Sequence, residues 1–322
     1  MTNETETVLD RRRLRRRLTV WRAAAIAALA LFLGYMAFGG DKLSSLAGIK
    51  QIARVEISGT IFEDRDQLEM LRKIAKDDNV AALLLYVNSP GGTTTGGEAL
   101  YEELRKISEK KPVVGQFGTV AASAGYIVGL GTDHIVARGN SITGSVGVIM
   151  QWPQVTEMLD KIGVKFRTVR SGENKALPNF VEDPTPASLQ VTQEMIDDGF
   201  QWFLSLVEKR RKIAPSTLAA LKTGRIYSGR EAMRLKLIDE IGGEAEAIKW
   251  LETKRNITKD LKVVTWKKET QSTFGFSAAL SGLATAALGA NGDAIARMLS
   301  RDGQLGSLGL DGMLSVWHPS KN

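Results

Sequence analysis

The sequence predicts an α/β domain in which helices cover a mainly parallel sheet, and three observations lead there. Val80–Val87 is a continuous apolar run, the pattern of a strand buried on both faces. From Gln51 onward, runs of strand length alternate with segments of helical period. At 322 residues, 43% hydrophobic and 25% charged, the chain can also bury an ample core.

The elements follow in order. Ile52, Val55 and Ile57 mark a first strand, and Leu68, Leu71, Ile74 and Ala75 a helix after it. The Val80–Val87 strand ends at the glycine loop Ser89-Pro90-Gly91-Gly92, and a helix runs from there through Ala99, Leu100, Leu104 and Ile107 to Lys110. Val113 to Phe117 is the next strand, Ser123 to Leu130 a helix, and His134 to Ala137 another strand. Ser145 to Met150 and Lys165 to Val169 are expected to continue the sheet, with a helix between them. After Pro186 the pattern is mainly helical through Phe203, Leu206 and Val207.

The net charge of +7 is unevenly placed: residues 1–22 hold seven arginines against three carboxylates, and the rest of the chain is near balance. No basic stripe with interleaved aromatics is present, so a nucleic-acid partner is not expected. The absence of cysteine excludes disulfides and thiolate metal sites. The arginine arm runs into Ala23–Phe38, sixteen uncharged residues extended by Gly39 and Gly40, just long enough to cross a bilayer as a helix. Arginines on one side place the N-terminus in the cytoplasm and the remainder outside it. A cleaved signal peptide shares this pattern, but the run exceeds a usual h-region and no clear small-x-small site follows. An uncleaved single-pass anchor is therefore expected.

The chemistry centres on Ala121-Ala122-Ser123-Ala124-Gly125-Tyr126, where a strand gives way to a helix. A serine there has helix N–H groups and a partial positive charge beside it, both suited to a developing oxyanion. Serines also cap helices routinely, so its company matters: the glycine loop upstream and Lys175 downstream, in Ser171-Gly172-Glu173-Asn174-Lys175. A serine nucleophile needs a base. The two histidines, His134 at a strand start and His318 near the end of the chain, lie in no motif. Lysine can replace histidine when it is held neutral by burial and hydrogen bonding. A phosphate-binding reading of the glycine loop fails because Thr93-Thr94-Thr95 lacks the lysine such a loop needs.

Taken together, Asn88-Ser89-Pro90-Gly91-Gly92, Ala122-Ser123-Ala124-Gly125-Tyr126, Ile142-Thr143-Gly144-Ser145-Val146-Gly147-Val148 and Ser171-Gly172 with Lys175 resemble, in that order, the signal peptide peptidase A family of serine proteases. Gly224-Arg225-Ile226-Tyr227-Ser228-Gly229-Arg230-Glu231-Ala232 with Leu237 to Gly243 resembles the family's closing segment. The resemblance covers roughly residues 51–255 and implies a Clp protease/crotonase-like fold. It also implies a serine–lysine dyad, with Ser123 as nucleophile and Lys175 as general base. Ser145 matches the serine that orients the lysine. Gly91 and Gly92 match the oxyanion loop, and the Ala124 N–H is the expected second donor. No cofactor or metal is implied.

Three positions depart from the family pattern, which often has glycine at Ala124, an aromatic at Ile127 and glycine at Lys236. The first keeps its N–H; the other two concern pocket shape and turn geometry.

The resulting organisation is a basic cytoplasmic arm (1–22), a transmembrane anchor (23–40), a linker (41–50), a protease domain (51–268) and a tail (269–322). Within the tail, Phe274 to Leu288 is too short and too weakly apolar for a second span; a mobile or surface-docked segment in contact with membrane or a neighbouring subunit is expected, with a disordered tail as the alternative. The function implied is a membrane-anchored serine endopeptidase on the outer face of the cytoplasmic (inner) membrane, periplasmic in a Gram-negative cell. Its expected partners are peptide substrates such as signal peptides left in the membrane, membrane lipid and further copies of itself in a ring-like homo-oligomer. Two alternatives stand beside it: a crotonase-like acyl-thioester enzyme and a non-catalytic membrane scaffold.

Overall fold

The computed structural model describes residues 48–268, the short run 314–316 and, near the N-terminus, Trp21, Arg22, Ala24, Ala25 and Ala28, which are helical. The chain divides into two units, Met1–Gln51 and Ile52–Asn322. Apart from those alanines, the expected anchor lies outside the described residues. Among the described residues no helix is long and apolar enough to cross a membrane.

The strands are β1 (Gln51–Ser58), β2 (Val80–Ser89), β3 (Gly91–Thr93), β4 (Val113–Ala122), β5 (His134–Ala137), β6 (Ile142–Gly144), β7 (Ile226–Ser228), β8 (Glu240–Ile241), β9 (Lys262–Thr265) and β10 (Leu314–Val316). The helices are α1 (Arg65–Lys76), α2 (Thr94–Ser108), α3 (Ala124–Leu130), α4 (Thr156–Lys161), α5 (Pro186–Arg210), α6 (Pro215–Leu221), α7 (Gly229–Arg234) and α8 (Glu244–Lys254). The main sheet runs β7-β6-β4-β2-β1-β9, with β5 on β4 and β8 on β5. Pairings β2–β4, β4–β5, β4–β6 and β5–β8 are parallel, and β6–β7 is antiparallel.

Burial on both faces is why β2 reads as an unbroken apolar run. Leu83, Leu85 and Val87 join the core shared with α1, α2 and α3, whereas Ala82 and Leu84 pack with Ala247 and Leu251 of α8 on the other face. β4 runs past the expected Phe117 to Ala122 because its free edge is used twice: Val114–Phe117 pairs with β5 and Val120–Ala122 with β6. That split carries the strand's end away from β5 and delivers it to the site.

Two expected strands do not form. Residues 145–148 and 164–170 carry no strand. Val146 and Val148 bury their side chains without entering the sheet, while Phe166 and Val169 are exposed. An apolar segment forms a strand only where it pairs with an edge, and 164–170 pairs with none of the described strands. In the tail, only β10 is described, and it pairs antiparallel with β3 of the glycine loop.

Lys236, where the family often has glycine, has φ 60°. It follows the C-cap residue Leu235; the Leu237 N–H donates to Ala232 O at 2.8 Å and the Lys236 N–H to Met233 O at 3.1 Å. This is the Schellman closure, whose left-handed position favours glycine. Lys236→Gly should therefore raise stability by about 1 kcal/mol, the left-handed penalty less glycine's added chain entropy. A higher denaturant midpoint at unchanged slope would register the gain; an unchanged midpoint would show that the turn is not strained.

Candidate active site

Ser123 follows the last residue of β4 and caps α3 with φ 57° and ψ −120°, a conformation non-glycine residues rarely adopt. Such a residue costs of order 1–3 kcal/mol and persists only where its surroundings hold it. Here they do: the Ser123 N–H donates to Gly144 O at 2.9 Å, and its carbonyl accepts from the Tyr126 and Ile127 N–H groups at 2.9 and 3.0 Å. Its hydroxyl makes no capping bond to α3.

Every residue of α3 is buried. Tyr126 donates its hydroxyl to Leu237 O at 2.9 Å, and burial pushes that phenol well above its usual range, so it stays a donor. Arg210, at the end of α5, donates to Leu130 O and Thr132 O, both at 2.9 Å, closing the helix at its other end.

The glycine loop lies against the first turn of α3. A Cβ on Gly125 would stand 2.9 Å from Ser89 O, and one on Gly97 would stand 3.3 Å from the Ala124 Cβ. Gly91 has φ 128°, and its N–H donates to Ser89 Oγ at 3.1 Å. On one edge of β3, Ile61 N–H donates to Gly91 O at 2.9 Å and Thr93 N–H donates to Ile61 O at 2.8 Å. That approach requires glycine at 92, since a Cβ there would fall 1.9 Å from Ile61 O. Because backbone groups alternate along a strand, the N–H and carbonyl of Gly92 face the opposite edge. Of the two loop glycines, Gly92 is thus the one whose N–H is presented outward, and Ala124 supplies a first-turn N–H with no partner inside its helix.

Ser123 and Ser145 line one cavity of about 350 Å³. Ser145 has φ 51°, and its N–H donates to Arg225 O at 3.0 Å, which ties it to the start of the closing segment. Gly144 before it has φ 85° and lies so close to the Tyr227 ring that a Cβ would approach to 2.6 Å. Val146, Val148, Ile196 and Phe200 give the cavity its apolar side, and Gln193, Asp197, Lys222 and Thr223 a polar one. The contribution of α5 to this wall was not anticipated from sequence, where that helix shows only its period.

Lys175 is not brought to this cavity by its own chain. It is exposed, in a turn where its N–H donates to Gly172 O at 3.1 Å. The lysine that lines the cavity is Lys222, at the C-cap of α6, and it too is exposed. His134 lies elsewhere, stacked on Trp250 with ring centroids 4.7 Å apart and its Nε2 3.1 Å from Glu240 Oε2. His318 is outside the described residues.

Comparison with known proteins agrees with this geometry. The model of peptidase family S49 matches residues 105–258, and the Clp protease model matches residues 54–141. A relative from Synechocystis sp. named as a protease is 34% identical over 212 residues, covering 66% of this chain and 76% of its own. Another so named, from Methanocaldococcus jannaschii, is 30% identical, covering 77% of this chain and 84% of its own. A relative from Enterococcus faecium that carries the name signal peptide peptidase SppA is 31% identical, covering 74% of each chain. A buried serine held at positive φ beside a glycine strand, and matches that span most of both partners, lead to one assignment: the chain belongs to peptidase family S49, the signal peptide peptidase A family.

Proposed function

We propose that this peptidase is a membrane-anchored serine endopeptidase with a serine–lysine dyad that is completed between neighbouring protomers. The observation that carries the reading is the separation within one chain. Ser123 and Ser145 share a cavity, whereas Lys175 is exposed and lines no part of it. The segment bearing Lys175 also lacks support from its own chain. Helix α4 buries none of its residues, and Met158, Ile162, Phe166, Val169 and Phe180 are all exposed, Val169 fully. Exposed apolar side chains so close in sequence call for a covering surface. A second copy set head to tail supplies it, brings its own lysine into a desolvated site, and closes into a ring.

In that arrangement Ser123 Oγ attacks the scissile carbonyl as Lys175 Nζ of the neighbour takes its proton. The oxyanion is met by the N–H groups of Gly92 and Ala124. The lysine returns the proton to the leaving amine, and water then releases the acyl group from Ser123. Ser145 lines the same cavity as Ser123, which supports a role in holding the incoming amine. The apolar side of the cavity, formed by Val146, Val148, Ile196 and Phe200, suits apolar side chains of a peptide. With the arginine-flanked Ala23–Phe38 segment, this supports signal peptides left in the membrane as substrates and the outer face of the cytoplasmic membrane as the place of action. Membership of a peptidase family favours peptide over thioester chemistry at this serine.

Two measurements test this. Lys175→Arg should lower kcat by about 10²–10⁴-fold, the range for loss of a general base, because guanidinium remains protonated. Lys222→Ala should leave the rate near wild type; the reverse pattern would move the base to Lys222 within one chain.

Co-assembly of Ser123→Ala with Lys175→Ala should regain about a quarter of wild-type activity for random equal mixing in a head-to-tail ring. A dyad made within one chain would regain none, since every protomer carries one defect. Silence in assemblies shown by native mass measurement to be mixed would overturn the shared site and leave the roles of the two residues standing.

A further inference from the structure

A second cavity, of about 260 Å³, is lined from α6, β7 and α7 and shares no lining residue with the one that holds Ser123. Two of its walls are buried hydroxyl side chains without a partner. Tyr227 is 2% exposed, and its hydroxyl oxygen, closed off from water, makes no hydrogen bond among the described residues. Thr217 is 5% exposed, and its hydroxyl likewise makes none among them. Buried polar groups are almost always paired, so two such groups on one cavity call for a partner from outside the fold.

The charges on the cavity favour an anion. Arg225 and Arg234 line it against a single carboxylate, Glu231. That carboxylate is already committed: Oε1 accepts from Arg225 at 3.2 Å, and Oε2 accepts from the Ser228 N–H at 3.1 Å to close the capping box of α7. Arg225 is shared, its guanidinium also lying 4.6 Å from the centre of the Tyr227 ring. Arg234, in the last turn of α7, forms no ion pair or side-chain hydrogen bond among the described residues, which leaves one positive charge uncompensated.

We propose that this cavity is a binding site for a phosphate group. Its two guanidinium groups offer paired N–H donors of the kind that grip oxyanions. The Tyr227 and Thr217 hydroxyls add single donors from two further elements, and donors on several sides suit a tetrahedral anion better than a planar carboxylate. Arg225, its side chain 53% exposed, is the wall that can turn to admit the ligand. The site sits behind the loop that carries Ser145: the Tyr227 ring abuts Gly144, and the Arg225 carbonyl accepts from the Ser145 N–H. Binding does not rest on the peptidase reading, since no group of the proposed dyad takes part. Free phosphate and the phosphate of a lipid headgroup share this chemistry.

The test uses the full-length chain in a maltoside detergent, which contributes no phosphate. Inorganic phosphate and dihexanoyl phosphatidic acid are titrated in turn by calorimetry. Both should bind saturably, and Arg234→Gln and Tyr227→Phe should each weaken them at least about tenfold, as expected for loss of a hydrogen bond to a charged group. Arg230→Gln, which removes a charge from the same helix outside the cavity, should leave both affinities unchanged. Tighter binding of the lipid than of inorganic phosphate assigns the site to a headgroup; equal or weaker binding assigns it to free phosphate, and either result supports the site.

Stability separates a ligand-binding hydroxyl from a structural one. In phosphate-free buffer Tyr227→Phe should match or exceed the wild-type denaturant midpoint, because it removes an unpaired hydroxyl and nothing else. A lower midpoint would make that hydroxyl structural and overturn its role. Equal weakening by Arg230→Gln, or unchanged affinity in Tyr227→Phe, would overturn the site as built. Absence of saturation with either probe would overturn it altogether and leave the cavity to a carboxylate of a second copy.

Discussion

The hydrogen bond from the Ser123 N–H to Gly144 O is the contact on which the site depends. It joins the end of β4 to the end of β6 at the point where both chains leave the sheet, and it holds Ser123 in a conformation the residue would not choose. The same junction sets Ser145 one residue past Gly144, so one bond fixes both cavity serines relative to each other. The split edge of β4 makes this possible. Had β5 continued alongside to Ala122, the place occupied by β6 would be filled and the two serines would not meet.

Much of this is legible in the residues. Val80–Val87 reads as a strand buried on both faces because it is one, and Ser123 reads as the turn from strand to helix because small, buried residues flank it. The glycines report close approach: Gly92 to the Ile61 backbone, Gly125 to Ser89 O, Gly144 to the Tyr227 ring. These are constraints on one residue type at one position, and a sequence carries them intact. Lys236 is the informative exception, since it occupies a left-handed position that its residue type only tolerates.

What sequence does not carry is the availability of partners. Ser145 to Met150 and Lys165 to Val169 have the composition of strands, but composition says nothing of whether an edge lies nearby. Residues 145–148 turn into a cavity wall, and Phe166 and Val169 are left exposed. The role of Phe200 and Ile196 in that wall depends on how α5 crosses the domain, a tertiary fact. β10 is hidden for the same reason: three residues far along the chain pair with three at the glycine loop, and no local period announces it.

In the proposed reading, an edge strand that accepts peptides cannot be protected by the usual devices. Charge, proline or a bulge on β3 would block aggregation and would block substrate equally. Glycine at 92 sharpens the difficulty, since the Ile61 contact forbids any side chain there and with it any local gatekeeper. The short strand β10 pairs with this edge from within the same chain, through a ladder of three residue pairs. The close packing against Ile61 that fixes glycine at 92 is thus also what leaves this edge to a backbone partner.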